Sequence, residues 1–235
     1  MGDPQRHRLN ADDGQNGDQV DADGSDPLGD NWPEFASDTE ATVSSPAEAW
    51  SSGRIPRHEC DRIHAFIQET VSEADADGVV VNMSGGLDST VAAAVAVEAL
   101  GADRVYALVL PSNKIGAPHA RDAEALAEAL GIKYDTIHLQ PLLAHFESIT
   151  PDVMPLYNDP VRAGNVTARL RMTLAYFAAS VMNRLVCGTM NRSEWLLGYQ
   201  TKYGDGAADI HPIGHLYKSD VRALATVLSV PDFVL

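Results

Sequence analysis

The amino-acid sequence predicts an α/β fold, in which a doubly wound parallel sheet follows a disordered acidic N-terminal tail. The chain has 235 residues, of which 45% are hydrophobic, and this is enough for a packed core. Short apolar runs alternate with segments of helical periodicity about 12 residues long, as in repeated strand–helix–strand units. Such units are right-handed and build a parallel sheet, whose ligands lie beyond the carboxyl ends of the strands.

The first half of the domain contains a helix and then two strand–helix pairs. The helix is predicted over residues 58–74, because apolar side chains recur there at helical spacing. The apolar runs at residues 79–83 and 104–110 predict buried strands. Each strand is followed by a predicted helix, over residues 88–100 and 119–130, that ends at a glycine.

The second half continues the alternation. Further strands are predicted over residues 133–139 and 184–189, with a long helix over 162–183 between them. Three prolines predict an irregular stretch between the third strand and this helix. They are Pro151, Pro155 and Pro160. A last helix is predicted over residues 218–230.

The predicted tail comprises residues 1–52, and the predicted domain comprises residues 53–235. Twelve of the 33 acidic residues but only two of the 17 basic residues lie in the tail, which is otherwise rich in Gly, Ser, Asn and Pro. Such a segment cannot bury enough apolar surface to offset the entropy lost on ordering. The formal net charge of the chain is −16, and −6 of it remains outside the tail.

Charge and composition exclude several classes of partner. An acidic chain repels nucleic acid and anionic membranes at long range, and no run reaches the roughly 18–20 apolar residues of a membrane span. The two cysteines, Cys60 and Cys187, match no metal or redox spacing, which predicts free thiols in a reducing cytoplasm. Only four of the 17 basic residues are lysine. With the many acids, this predicts a halophilic protein that needs molar salt to fold.

The segment that follows the first strand, "SGGLDST" at residues 84–90, is typical of a phosphate site. Its two glycines let the backbone turn sharply and approach a ligand closely. The helix that follows directs unpaired N–H groups and its positive dipole end toward the loop. Hydroxyl groups of Ser84, Ser89 and Thr90 add further donors.

Asp88 narrows the chemistry of this loop. A carboxylate beside a phosphate is repulsive unless a cation bridges the two, so the pattern predicts Mg²⁺. The loop has neither the lysine of G-x-x-x-x-G-K-[ST] nor the spacing of G-x-G-x-x-G. It resembles instead the S-G-G-x-D-S loop of the N-type ATP pyrophosphatases, which cleave ATP between the α- and β-phosphates to adenylate a substrate oxygen.

Three further motifs select one branch of that superfamily. They are "GNVTARLRM" (164–172), "GTMNRSEWLLGYQTKYGDGAAD" (188–209) and "PIGHLYKSDVRALA" (212–225). Together with the loop they resemble the NH3-dependent NAD synthetases, over about residues 57–232. The resemblance implies a Rossmann-like fold of the adenine nucleotide alpha-hydrolase-like type. It also implies ATP-dependent amidation of deamido-NAD by ammonia, through an adenylate, with release of AMP and pyrophosphate.

The resemblance also implies roles for individual residues. The ATP-binding residues are Ser84, Gly85, Gly86, Leu87, Asp88, Ser89, Thr189 and Lys218. The metal ligands are Asp88 and Glu194, and the catalytic residues are Asp88 and Lys218. The deamido-NAD contacts are Arg169, Lys202 and Asp209. Arg169 and Arg171 lie two residues apart on a predicted helix, about 200° around its axis, so they cannot both face one ligand.

The family resemblance also implies a homodimer, in which deamido-NAD binds where the subunits meet. The long helix fits this expectation, because "LRMTLAYFAASVM" is apolar on more than one face. Family members continue past the equivalent of residues 227–235 with a segment that contacts both substrates. For this chain we therefore expect ATP binding with slow or absent NAD formation. Two alternatives are a nucleotide-binding remnant of the family and another N-type ATP pyrophosphatase, such as a tRNA-modifying one.

Overall fold

The computed structural model describes residues 57–112 and 117–234. The predicted acidic tail, residues 1–52, lies outside the described residues. Among the described helices, none is long and apolar enough to cross a membrane.

The sheet has four parallel strands: β1 (Gly78–Asn82), β2 (Val105–Val109), β3 (Lys133–Thr136) and β4 (Arg184–Cys187). Their order across the sheet is β3-β2-β1-β4. The chain therefore moves outward from β1 through β2 to β3 and then returns to the other side of β1. This reversal is the mark of a doubly wound sheet, and it confirms the predicted fold class.

Seven α-helices surround this sheet in the described part of the chain. They are α1 (Arg57–Glu73), α2 (Leu87–Leu100), α3 (Ala117–Ala129), α4 (Gln140–Ile149), α5 (Pro160–Met182), α6 (Arg192–Leu197) and α7 (Lys218–Val227). Short 3₁₀ turns lie at Ala102–Arg104 and Asp232–Val234.

Each face of the sheet carries its own apolar core, because alternate side chains of a strand point to opposite faces. On β1, Val79 and Val81 pack with α1, α2, α3 and α7, whereas Val80 packs with α4 and α5. All three valines are completely buried. Burial on both faces explains why β1 consists almost entirely of valine rather than of alternating apolar and polar residues.

One helix departs from the sequence-based expectation. Residues 140–149, within the stretch expected to be irregular, form α4. Pro141 occupies its first turn, where a missing backbone N–H costs nothing, and Leu143 is buried against the sheet. The three later prolines lie outside α4, and Pro160 opens α5. The irregular stretch is therefore confined to residues 150–159, which contain Pro151 and Pro155.

Candidate active site

The predicted phosphate loop lies at the carboxyl end of β1, between the strand and α2. Gly85 has φ of 82°, a left-handed conformation that side chains disfavour. A Cβ atom at this position would lie 2.3 Å from the carbonyl oxygen of His119. Glycine is therefore required at residue 85 both for the turn and for the close approach of α3.

Hydroxyl groups hold this loop in shape. Ser89 and Thr90 are buried, and their hydroxyls donate to the carbonyl oxygen of Gly86 over 3.0 and 2.8 Å. The Ser84 and Ser89 hydroxyls also lie 3.0 Å apart. Thr90 thus stabilises the loop, whereas it was expected to donate to a ligand. Exposed Ser84 remains accessible from the cavity described next.

The first turn of α2 faces the loop without a side-chain cap. Its N-cap residue is Gly86, which provides no side-chain hydrogen bond to the helix. The backbone N–H groups at the start of a helix need acceptors and carry its positive dipole end. An anion in the loop would supply such acceptors.

A cavity of about 550 Å³ opens beside the loop, at the carboxyl ends of β1, β2 and β4. Its walls are largely apolar, formed by Met83, Leu108, Leu110, Met172, Ala175 and Val186. Its polar side chains include Asn82, His119, Arg171 and Thr189. An apolar hollow of this size with a few polar groups is typical of a small-molecule site.

A smaller hollow of about 160 Å³ lies on the other side of the loop. Asp88, Glu194 and Asp205 contribute carboxylates to its wall. The two hollows share Ser84, Gly86, Thr189 and Asp205, so they adjoin at the loop. This arrangement suits a ligand with an apolar part in the large cavity and a polyanionic part at the loop.

The Asp88 carboxylate is the centre of a polar cluster drawn from distant parts of the chain. One oxygen, Oδ2, pairs with Lys218 Nζ, 130 residues away. The other, Oδ1, accepts a hydrogen bond of 3.0 Å from the side chain of Asn191. The Ser193 hydroxyl accepts the Lys218 backbone N–H over 3.1 Å, which ties the start of α7 to α6.

Asn191 also sets the start of α6 through a capping box with Glu194. Its side-chain oxygen accepts the Glu194 N–H over 3.0 Å, and the Glu194 carboxylate accepts the Asn191 N–H over 3.2 Å. The sequence carries the signal for this box, because "NRSE" places Glu three residues after Asn. The motif resemblance nevertheless assigned no role to Asn191.

Asp88 and Glu194 are the carboxylates that could hold a divalent cation at this site. Burial raises the pKa of Glu194, and the nearby Asp88 carboxylate raises it further. Two mutually repelling carboxylates in one hollow fit a cation that would neutralise them. Within residues 57–112 and 117–234 no group of three or more metal-binding side chains occurs. The pair therefore fits Mg²⁺, which commonly takes one or two carboxylates and completes its shell with phosphate oxygens and water.

The two arginines of α5 point to different surroundings, as their spacing predicted. Half-buried Arg171 lines the large cavity, where its Nε donates to the Leu110 carbonyl over 3.1 Å. Burial lowers the pKa of Arg171. Exposed Arg169 instead donates to the Lys202 carbonyl over 3.1 Å. Arg171 is a charged group in the wall of the cavity, and the motif resemblance assigned no binding role to it.

The three residues assigned to deamido-NAD lie along the exposed side of α5 rather than in the walls of the two hollows. Arg169 contacts the Lys202 backbone. Two turns further along α5, Tyr176 donates to Asp209 over 3.2 Å. The other Asp209 oxygen accepts the Val186 N–H of β4 over 2.7 Å. Asp209 therefore links α5 to the sheet, so it is held in place beside this surface.

The "YGDG" turn brings Asp205 to both hollows, another residue that we had not singled out. Its carboxylate accepts the Thr201 N–H over 2.6 Å. Gly204 and Gly206 pack closely, because a Cβ there would lie 2.9 Å from Thr201 and 2.0 Å from Gln200. These two glycines thus serve the packing of the turn.

Comparison with known proteins identifies one family of similar proteins. Residues 59–235 match the family model described as NAD synthase. The NH(3)-dependent NAD(+) synthetase of Halobacterium salinarum is 44% identical over 172 residues, which is 73% of this chain. The matched region spans 63% of that relative's own length.

Two solved structures share the fold. The NH3-dependent NAD synthetase of Campylobacter jejuni has a TM-score of 0.68 and 38% identity, over 76% of this chain and 75% of its own. The NMN synthetase of Francisella tularensis has a TM-score of 0.67 and 39% identity, over 77% of this chain and 73% of its own.

Proposed function

The chain belongs to the NAD synthase family, and we propose that it amidates deamido-NAD with ammonia at the expense of ATP. In this reaction the nicotinate carboxylate attacks the α-phosphorus of ATP, which forms an adenylate and releases pyrophosphate. Ammonia then displaces AMP to give the amide. The first step is needed because a free carboxylate is unreactive toward ammonia, whereas an adenylate carries a good leaving group.

The observation that carries this proposal is the meeting of Lys218 and Asp88 at the phosphate loop. A lone glycine-rich turn would be weak evidence for nucleotide chemistry. Here a lysine and a carboxylate that are 130 residues apart converge on that turn, beside a cavity of about 550 Å³. We assign the nucleoside of ATP to this cavity and its phosphates to the loop, Thr189 and Lys218.

The chain's own groups would act mainly through position and charge. The first-turn amides of α2 and the ammonium of Lys218 would stabilise the negative charge that develops on pyrophosphate as it leaves. Arg169, Lys202 and Asp209 would hold deamido-NAD along α5 with its carboxylate directed to the α-phosphate. Asp88 and Glu194 would hold Mg²⁺, which when bound supplies further neutralisation of phosphate charge.

The direct test is the reaction itself. Purified protein with ATP, Mg²⁺, deamido-NAD and ammonium should form NAD, AMP and pyrophosphate in equal amounts. ATP binding without NAD formation would instead support the alternative of a nucleotide-binding remnant of the family. Arg169→Ala should raise KM for deamido-NAD and leave KM for ATP unchanged. Arg162→Ala is the matched control, since Arg162 is also exposed on α5 but pairs with Asp159. Release of ADP instead of AMP would contradict the proposed chemistry.

A second candidate substrate is a mononucleotide, which is smaller than deamido-NAD and carries the same carboxylate. The Francisella tularensis relative is an NMN synthetase with 39% identity. Amidation of the carboxylate precursor of NMN would use the same loop and the same adenylation step. The ratio of kcat/KM for deamido-NAD and for this mononucleotide decides between them, and we expect the ratio to favour deamido-NAD.

We also propose a homodimer that pairs through α5. Its outer side exposes large apolar groups one turn apart, with Phe177 and Val181 at 67% and 68% exposure. Phe177→Asp should therefore give a monomer in light scattering, whereas Phe233→Asp, at another exposed phenylalanine, should not. A monomeric parent protein would contradict this assignment.

The proposed setting is a reducing, high-salt cytoplasm. Both cysteines are buried, and burial raises the pKa of the Cys187 thiol to about 12, so neither is poised to react. The high-salt assignment rests on the net charge of −16. Retention of the folded state after dialysis into dilute buffer would argue against it.

A further inference from the structure

The side chain of Asn191 links the Asp88 carboxylate to the backbone of Glu194 at the start of α6. It is completely buried. Its Nδ2 donates to Asp88 Oδ1 over 3.0 Å, and its Oδ1 accepts the Glu194 N–H over 3.0 Å. This orientation is unique, because exchanging the nitrogen and oxygen would oppose two acceptors at Asp88 and two donors at Glu194.

The two oxygens of Asp88 therefore have partners of different kinds. Oδ1 is held by a buried, neutral amide. Oδ2 is paired with Lys218, whose side chain is 35% exposed and sits on a flexible stem. When a cation and a polyphosphate enter, Lys218 can turn to the phosphates, whereas Asn191 has no room to move.

From this geometry we propose that Asn191 is the positioning residue of the metal site. It holds Asp88 through one oxygen, which would leave the other to bind a divalent cation in place of Lys218, and it holds Glu194 through the start of α6. The inference rests on the proposed function, since it needs Asp88 and Glu194 to bind the cation that accompanies ATP.

Helix capping alone does not explain why residue 191 is asparagine. A cap needs only a side-chain acceptor, and Ser or Asp serves about equally well. The Nδ2 donor to Asp88 is the part that requires Asn. Asn191→Ser therefore separates the two roles, because it keeps the acceptor for Glu194 and removes the donor to Asp88.

The test is the coupling between Mn²⁺ and ATP, measured as the ratio of the ATP dissociation constants in EDTA and in saturating Mn²⁺. Calorimetry supplies both constants without turnover. Asn191→Ser should lower this ratio by about 10- to 100-fold, the usual effect of losing a partner that orients a metal ligand. Its affinity for ATP in EDTA and its melting temperature should stay close to those of the parent.

Asp159→Ala is the control, because it removes the side-chain cap of α5 without touching the site. It should lower stability and leave the ratio unchanged. An unchanged ratio in Asn191→Ser overturns the positioning role, whereas a parent protein that binds no ATP in either condition overturns the proposed function.

A second variant covers the risk of misfolding. Asn191→Asp keeps both the cap and the side-chain volume but places a carboxylate against that of Asp88. The ratio of the two ATP dissociation constants should therefore fall by a similar factor. If neither variant folds, Asn191 is a determinant of folding and the positioning role is rejected.

Discussion

Asp88→Asn should remove the effect of Mg²⁺ on ATP binding and lower turnover by about a hundred- to a thousandfold. Asparagine keeps the shape of the side chain but has no charge to offer a cation. Calorimetric titration of ATP with and without Mg²⁺ measures the first effect, and NAD formation measures the second. The protein should stay folded, because the amide can still accept from Lys218 or Asn191.

The matched control is Asp135→Asn on β3. That carboxylate accepts a hydrogen bond from the Tyr106 hydroxyl. Asp135 lies on β3, at the opposite edge of the sheet from β4. Its loss should leave nucleotide binding and turnover as they are. Tighter ATP binding with Mg²⁺ than without it, retained in Asp88→Asn, would remove Asp88 from the metal site.

Lys218→Met should lower kcat by about a hundred- to a thousandfold and change KM for ATP much less. The reason is that the ammonium is needed most when pyrophosphate carries its full charge as it departs. Steady-state kinetics separates the two parameters. Lys133→Met, at an exposed lysine of β3, is the control and should behave as the parent.

A double variant at Asp88 and Lys218 tests whether the two side chains act together. Because Lys218 and Asp88 are in direct contact, their effects should not add. Asp88→Asn/Lys218→Met should therefore cost little more than the worse single variant. Fully additive losses would mean that the two side chains act at separate steps or separate places.

The strands could be predicted because their signal is local. β1 carries three consecutive valines between glycine and the loop, and only a strand buried on both faces needs such a run. β3 was harder to delimit, since it ends at Thr136 although apolar character continues to Leu139. An edge strand has a neighbour on one side only, so its length depends on where β2 ends rather than on its own residues.

The residues that the sequence did not identify are those whose role depends on distant contacts. Asn191 lies in a quoted motif and reads locally as a helix cap, but its second bond reaches Asp88 across 103 residues. Periodicity separated Arg169 from Arg171, yet only the packing of α5 on the sheet decides that Arg171 lines the cavity. A resemblance between motifs can identify such positions, but it does not show which atoms are in contact.

The uncapped start of α2 has a consequence for how this chain could have evolved. Its attraction for anions comes from peptide groups, and a peptide N–H keeps its polarity whichever residue carries it. Lysines elsewhere on the surface could therefore be replaced by aspartates without changing the peptide N–H groups that face the phosphate loop. The phosphate loop and the exterior of the domain are in this way free to follow separate selection pressures.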